Sequence, residues 1–274
     1  MRSKATQEDS RLSMMRECFM TTIALTGKGG TGKTTISALI VRWLVEKGRA
    51  PVLAVDADSN SNLNEVLGVS FSATVGGVRE ETRAQAGSLA GGLSKQQFLE
   101  TQINQALVES KGFDLIVMGR PEGPGCYCFA NNVLRDVLAR ISRNYPSIVV
   151  DCEAGLEHLS RRTLLDVDWL VTVSDPSVRG LHTARRVGDV VDEMKTRVRH
   201  RALIVNRRTD ASAALTDTQS EAVRQSGFER VFMLPYDDTV ARMDENAGSM
   251  KDISETSGIY MGVSEIMNSI FVSS

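Results

Sequence analysis

Gly27-Lys28-Gly29-Gly30-Thr31-Gly32-Lys33-Thr34-Thr35 is the stretch that decides the fold of this chain. It fits the pattern G-x-x-x-x-G-K-[ST], and it stands where that pattern has physical meaning. An apolar run precedes it at Met20 to Thr26, and an amphipathic run follows at Thr34 to Lys47. Glycines let the backbone curl so that several N–H groups converge on one phosphate. A helix that starts at once adds the positive end of its dipole. On this reading Gly29, Gly30, Thr31 and Gly32 cradle the phosphates of ATP. Lys33 sets a compact charge on the β- and γ-phosphates, Thr34 ligates Mg2+, and Thr35 reaches the α-phosphate.

Outward from the loop, short apolar runs alternate with amphipathic stretches. Strands are expected at Met20 to Thr26, Pro51 to Val55, Phe113 to Met118, Ser147 to Val150, Leu170 to Val173, Ala202 to Val205 and Val231 to Leu234. Helices are expected at Thr34 to Lys47, Gln96 to Glu109, Val133 to Arg143, Val178 to Met194 and Thr216 to Gln225. Strand, helix, strand repetition implies an α/β fold of three layers, a mostly parallel sheet with helices on both faces. Ligands of such sheets sit beyond the carboxyl ends of the strands. The expected organisation is a flexible N-terminal extension at 1–19 and one P-loop ATPase domain at 20–274. Ser70 to Ser94, rich in small residues and without period, reads as an insertion loop.

Three strand ends supply further candidates. Asp56 and Asp58 follow the run at Val52 to Val55, one residue apart, so alternation sends both to one side. Asp58 is the candidate for orienting the attacking water, and Asp56 for the magnesium shell. Asp151 ends the run at Ser147 to Val150 and precedes Gly155 by four residues. That spacing resembles a Walker B and switch II segment, in which Asp151 holds magnesium through water and the Gly155 N–H senses the γ-phosphate. Asn206 and Arg207 end the run at Leu203 to Val205, and a side-chain amide there suits an adenine edge. Leu234-Pro235-Tyr236-Asp237 resembles a second base-contacting loop.

Lys28 is an extra lysine inside the phosphate loop. K-G-G-T-G-K-T resembles the deviant phosphate loop of the dimeric ATPase class that includes MinD, ParA and the nitrogenase iron protein. The resemblance implies that Lys28 crosses a two-fold axis and touches the partner's nucleotide. Cys126-Tyr127-Cys128 is the other unusual feature, in a turn shaped by three glycines and two prolines between Gly119 and Gly125. Two cysteines one residue apart do not readily close a relaxed disulfide, but together they chelate a soft or borderline metal. Two copies about a two-fold axis would present four thiolates, which suit Zn2+ when tetrahedral and Ni2+ when planar.

The stretch Gly119 to Cys128, with Asp151-Cys152-Glu153-Ala154-Gly155-Leu156-Glu157-His158-Leu159, resembles the CooC-type nickel ATPases, maturation factors of carbon monoxide dehydrogenase. The resemblance runs from about Met20 to Asp237. It implies an ATP-gated homodimer that binds Ni2+ through Cys126 and Cys128 of both subunits. Its client would be carbon monoxide dehydrogenase, or acetyl-CoA synthase. Two alternatives stay open: a ParA- or MinD-like positioning ATPase, and an electron-transferring iron protein. The second needs a cysteine directly before the switch II glycine, where this chain has Ala154.

Composition narrows the classes further. The chain has 274 residues, is 42% hydrophobic and 24% charged, and carries a formal net charge of −2. That balance does not suit a protein that coats nucleic acid or an anionic membrane. No apolar run reaches the roughly 20 residues that span a bilayer. Four cysteines do not make a disulfide scaffold. A cytoplasmic protein with no nucleic-acid or membrane partner is expected. Cys152 reads as a core thiol, Cys18 as a tail thiol, His158 as a packing or capping residue, and Lys195 to Arg201 as a solvated helix end.

Overall fold

The computed structural model describes residues 20–78, 95–119, 139–153, 166–193, 197–224 and 226–272. The extension at 1–19, the cysteine turn, Gly155 and His158 therefore lie outside the described residues. So do 79–94 of the expected insertion loop and the first part of the helix expected from Val133.

The core is one eight-stranded sheet, β1 (Thr21–Thr26), β2 (Val52–Ala57), β3 (Val108–Glu109), β4 (Phe113–Val117), β5 (Ser147–Cys152), β6 (Val167–Ser174), β7 (Val198–Arg208) and β8 (Arg230–Pro235). Their order is β3-β4-β2-β5-β1-β6-β7-β8. Every adjacent pair is parallel except β3 with β4. The expected parallel α/β fold is the one observed. β1, β2 and β5 are buried almost throughout, as strands covered on both faces must be. Register brings Asp151 of β5 beside Leu25 of β1 and Asp56 of β2. The acidic strand ends thus share one edge with the phosphate loop.

Helix α1 (Lys33–Glu46) lies on one face, with Ile36, Leu39, Ile40 and Leu44 packed against Ile23 and Leu25. Its outer side is covered as well. The C-terminal helix, here α7 (Gly258–Val272), packs across it. Trp43 Nε1 donates to Ser264 Oγ at 3.0 Å, and the Trp43 ring stacks on Phe271 at 5.9 Å. Arg42 lies 4.6 Å above the Tyr260 ring and pairs with Glu46 at 2.7 Å, while the Tyr260 hydroxyl donates to Glu46. On the opposite face Ala24, Val55, Ile116, Ile148, Val150 and Cys152 build a second cluster. Cys152 is a core thiol, as expected, and burial pushes its pKa up.

Several expectations are corrected. The helix expected to Glu109 stops at Ala106, because Val108 and Glu109 turn back as β3 along β4. Gly112, at φ +90°, makes that hairpin turn feasible. The basic stretch near Arg201 is no helix end: residues from Val198 onward open β7. Its side chains are engaged there. Arg199 meets Asp168 at 3.0 Å, and His200 stacks on Trp169 and bonds Glu229 at 2.8 Å. The start of the expected insertion loop belongs to the core, since Val75 and Val78 are buried in the second cluster. Helix α2 (Leu63–Leu67) and helix α6 (Asp238–Glu245) had no periodic signal long enough to read. Helices α3 (Lys95–Ala106), α4 (Val178–Glu193) and α5 (Asp217–Arg224) follow among the described residues, with helical residues also at 75–78 and at 139–142, the latter within the helix expected from Val133 to Arg143.

Trp43→Ala is expected to destabilise the protein by about 3–5 kcal/mol, since it empties the seam between α1 and α7. Ser264→Ala removes only one hydrogen bond and is expected to cost about 1 kcal/mol. Urea unfolding followed by circular dichroism orders the two; equal midpoints would refute the seam as a stabilising contact.

Candidate functional site

The phosphate loop joins β1 to α1 at the carboxyl edge of the sheet. Two of its glycines are required by their surroundings. A Cβ on Gly27, at φ +139°, would stand 2.1 Å from the Val173 carbonyl oxygen, and one on Gly32, at φ +92°, would stand 2.6 Å from Asn206 Nδ2. The loop is held by its carbonyls. The Lys28 carbonyl accepts from Thr31 Oγ1 at 2.9 Å and from Lys33 Nζ at 3.2 Å. The Thr31 carbonyl accepts from Asn206 Nδ2 at 2.9 Å. Lys33 is buried, whereas Lys28, Gly29 and Gly30 are exposed at the tip.

Asp151 sits directly beneath α1 and is 1% exposed. Its Oδ1 accepts from Ser37 Oγ at 3.1 Å, and the Thr34 hydroxyl lies near enough to favour its charged form. Burial pushes the Asp151 carboxyl up to about 6, against the pull of those two hydroxyls and of Lys33. Hydroxyl and carboxylate oxygens form a hard donor set that fits Mg2+, with Thr34 and Asp151 as the residues to hold it. Ser37 was not singled out in the sequence. It stands three residues beyond Thr34, so both hydroxyls lie on one side of α1.

Asp56, 0% exposed, is placed beside Asp151 by the β2–β5 register. Its environment differs. Oδ1 accepts from the Asp58 N–H at 3.1 Å, and Oδ2 accepts from the Leu63 N–H at 3.0 Å. Burial pushes its carboxyl up to about 7, with the backbone bonds opposing and the charges of Asp151 and Asp58 adding. Asp58 is half-buried, and its Oδ1 accepts from the Asn60 N–H at 2.8 Å.

A cavity of about 210 Å3 opens beside the loop, bounded by Gly32, Thr35, Asn206, Pro235, Asp244 and Ile259. Arg207 and Tyr236, both exposed, stand at it. Asn206 is buried and its orientation is forced: a carbonyl only accepts, so the amide nitrogen must face Thr31. That leaves Asn206 Oδ1 buried without a partner among the described residues. An amino group such as the one on adenine would satisfy it, whereas a second carbonyl would not. Asp237 holds the far wall. Its Oδ1 accepts from the Thr239 N–H at 2.9 Å at the start of α6, and its Oδ2 from the Ile259 N–H at 3.2 Å in α7. Lys28, Lys33, Thr34, Thr35, Asp56, Asp58, Asp151, Asn206 and Pro235 thus share one edge. Among the described residues no cluster of three or more His, Cys, Asp or Glu is arranged to hold a metal ion, and no helix is long and apolar enough to cross a membrane.

A strand–glycine loop–helix with its lysine, a buried aspartate beneath it and a base-sized cavity beside it define a P-loop nucleotide-binding protein. The family model of the CobQ/CobB/MinD/ParA nucleotide binding domain matches residues 22–249. The chain belongs to this family. It is 38% identical to an uncharacterized ATP-binding protein of Methanocaldococcus jannaschii, over 90% of this chain and 97% of that one. It is 30% identical to the carbon monoxide dehydrogenase accessory protein CooC of Rhodospirillum rubrum, over 85% of this chain and 90% of that one. Among solved structures, a ParA family ATPase from Chlorobium tepidum aligns with a TM-score of 0.65 and 20% identity, over 90% of this chain and 96% of that one. The MinD cell division protein of Aquifex aeolicus aligns at 0.63 and 19%, over 93% and 98%.

Ser37→Ala is expected to raise the Mg2+ concentration that half-saturates ATP binding by about tenfold, because Asp151 loses one of the groups that orient it. Titration of Mg2+ against a fluorescent ATP analogue reads the shift. An unchanged titration in a folded variant would remove Ser37 from the site.

Proposed function

We propose that this protein is a Mg-ATP-dependent ATPase that works as a homodimer and carries nickel toward the active cluster of carbon monoxide dehydrogenase. The observation that carries the reading is the pairing of two features. One is a complete phosphate loop with Lys28 exposed at its tip; the other is Cys126-x-Cys128 in a chain 30% identical to a CooC protein. Acetyl-CoA synthase is the neighbouring client chemistry, and Zn2+ competes for the same thiolates.

Bound at Thr34 and Asp151, Mg2+ would neutralise phosphate charge and orient the β- and γ-oxygens. The protein groups do the rest. Converging backbone N–H groups hold the phosphates, and Lys33 exchanges its bond to the Lys28 carbonyl for the β- and γ-oxygens. Asn206 and Pro235 fix the base. Asp58 accepts a hydrogen bond from the attacking water and aims it at the γ-phosphate. Lys28 of each subunit meets the nucleotide of the other, so charge is compensated only in the dimer. Loss of the γ-phosphate lets the switch segments at Asp56 and Asp151 relax, which changes metal affinity and partner contact. We place this reaction in the cytoplasm.

A MinD- or ParA-like positioning role is the second reading, favoured by the structural neighbours. It needs no thiols. Nickel dialysis separates the two: about one Ni2+ per dimer is expected for the native chain, from four shared thiolates, and none for Cys126→Ser/Cys128→Ser with ATP binding intact. Nickel retained by the double variant would end the metal proposal. Lys28→Ala is expected to keep ATP binding and lose ATP-driven dimerisation. Sedimentation velocity with a non-hydrolysable analogue checks this, and an unaltered dimer peak would remove the trans role.

A further inference from the structure

We propose that Asp56 is a positioning residue, a clamp that closes the loop bearing Asp58, and not a member of the magnesium shell. The inference rests on the reading of Asp58 as the group that orients water.

The loop runs from Asp58 to Asn62, between the end of β2 and the start of α2. Asp56 grips it at both ends. One carboxylate oxygen takes the Asp58 N–H as the chain leaves the sheet, and the other takes the Leu63 N–H as α2 begins. The second bond replaces a missing cap. Asn62 stands at the N-cap position but has helical φ and ψ of −102° and −8° and makes no side-chain cap bond. A first-turn N–H has no partner within its own helix, so the buried Leu63 amide depends on Asp56. Beyond the clamp, α2 is anchored by Leu63 and Leu67, both 0% exposed in the main core.

Inside the clamp the loop is bonded to itself through Asp58. The Asp58 carbonyl accepts from the Ser61 N–H at 3.1 Å, and the Asp58 carboxylate accepts from the Asn60 N–H. Ser59 brings no fixed φ of its own, so hydrogen bonds supply the stiffness. The comparison with Asp151 sharpens the assignment. The two aspartates are register partners on adjacent strands, equally buried. Asp151 is met by two hydroxyls from α1, which rotate to suit a cation. Asp56 is met by two backbone amides, which cannot be given up without opening the loop. One edge thus carries two carboxylates with separate tasks.

The test is Asp56→Asn, since an amide keeps one acceptor oxygen and replaces the other with a donor. The expected result is a fall in kcat of about 10- to 100-fold, with the KM for ATP and the half-saturating Mg2+ concentration unchanged. Amide exchange followed by NMR should accelerate at Asp58 and Leu63 while α1 stays protected. A rise in the Mg2+ requirement without faster exchange at Leu63 would overturn the clamp and return Asp56 to the metal shell. Unchanged turnover together with unchanged exchange at Leu63 would also overturn it. Exchange in the native protein gives a second measurement that no folding defect obscures. The Leu63 amide should be protected there, and free exchange at that position refutes the proposal. Asp58→Asn is the control: it should lower kcat and leave exchange at Leu63 alone. If instead Asp58→Asn keeps full turnover while Asp56→Asn still loosens Leu63, the clamp stands and the water-orienting role of Asp58 falls.

Discussion

A loop that binds phosphate must be held in shape without using the N–H groups that do the binding. Among the described residues, the bonds that hold this loop between Lys28 and Gly32 all end on its carbonyls. Thr31 Oγ1 and Lys33 Nζ converge on the Lys28 carbonyl, Asn206 Nδ2 grips the Thr31 carbonyl, and the Gly32 carbonyl starts α1. Anion affinity follows from that division, because the donors remain for the ligand. It also ties three parts of the site together. Asn206, which lines the cavity, bonds directly to the glycine loop, and the same loop presents Lys28 to solvent.

α1 transmits this arrangement to the rest of the molecule. Its inner side carries Thr34 and Ser37 onto Asp151 and its leucines and isoleucines onto the sheet. Its outer side carries Arg42, Trp43 and Glu46 onto α7. α7 in turn offers the Ile259 N–H to Asp237 at the cavity wall. The glycine loop and the cavity wall are therefore braced by one helix pair. Packing on both sides explains why α1 is buried around most of its circumference, beyond what a helix with one apolar stripe requires.

Much of the fold was legible in the sequence because strands buried on both faces read as unbroken apolar runs. β1, β2, β5 and the middle of β6 and β7 were found this way, each within a few residues. The failures share a cause. β3 is two residues long, and its existence depends on β4 standing ready to pair with it. The basic start of β7 looks solvated until Asp168, Trp169 and Glu229 are set beside it. Val75 and Val78 sit in a stretch of small residues with no period, and only the second cluster makes them core. The cysteine pair was the most specific reading, and it lies outside the described residues.

The sequence by itself determined the chemistry of the edge: a glycine loop with its lysine, aspartates ending apolar strands, an asparagine ending another. Those are local properties, since the pattern of glycines and the end of an apolar run are written in consecutive residues. Only the tertiary structure decided which groups meet. Asn206 lies 175 residues from Thr31, and Ser37 lies 114 from Asp151. Asp56 and Asp151, both read as acids for magnesium, received different neighbours: backbone amides for one, hydroxyls of α1 for the other. A carboxylate takes its role from the donors that surround it. In a parallel sheet those donors arrive from strands and helices far apart in the chain.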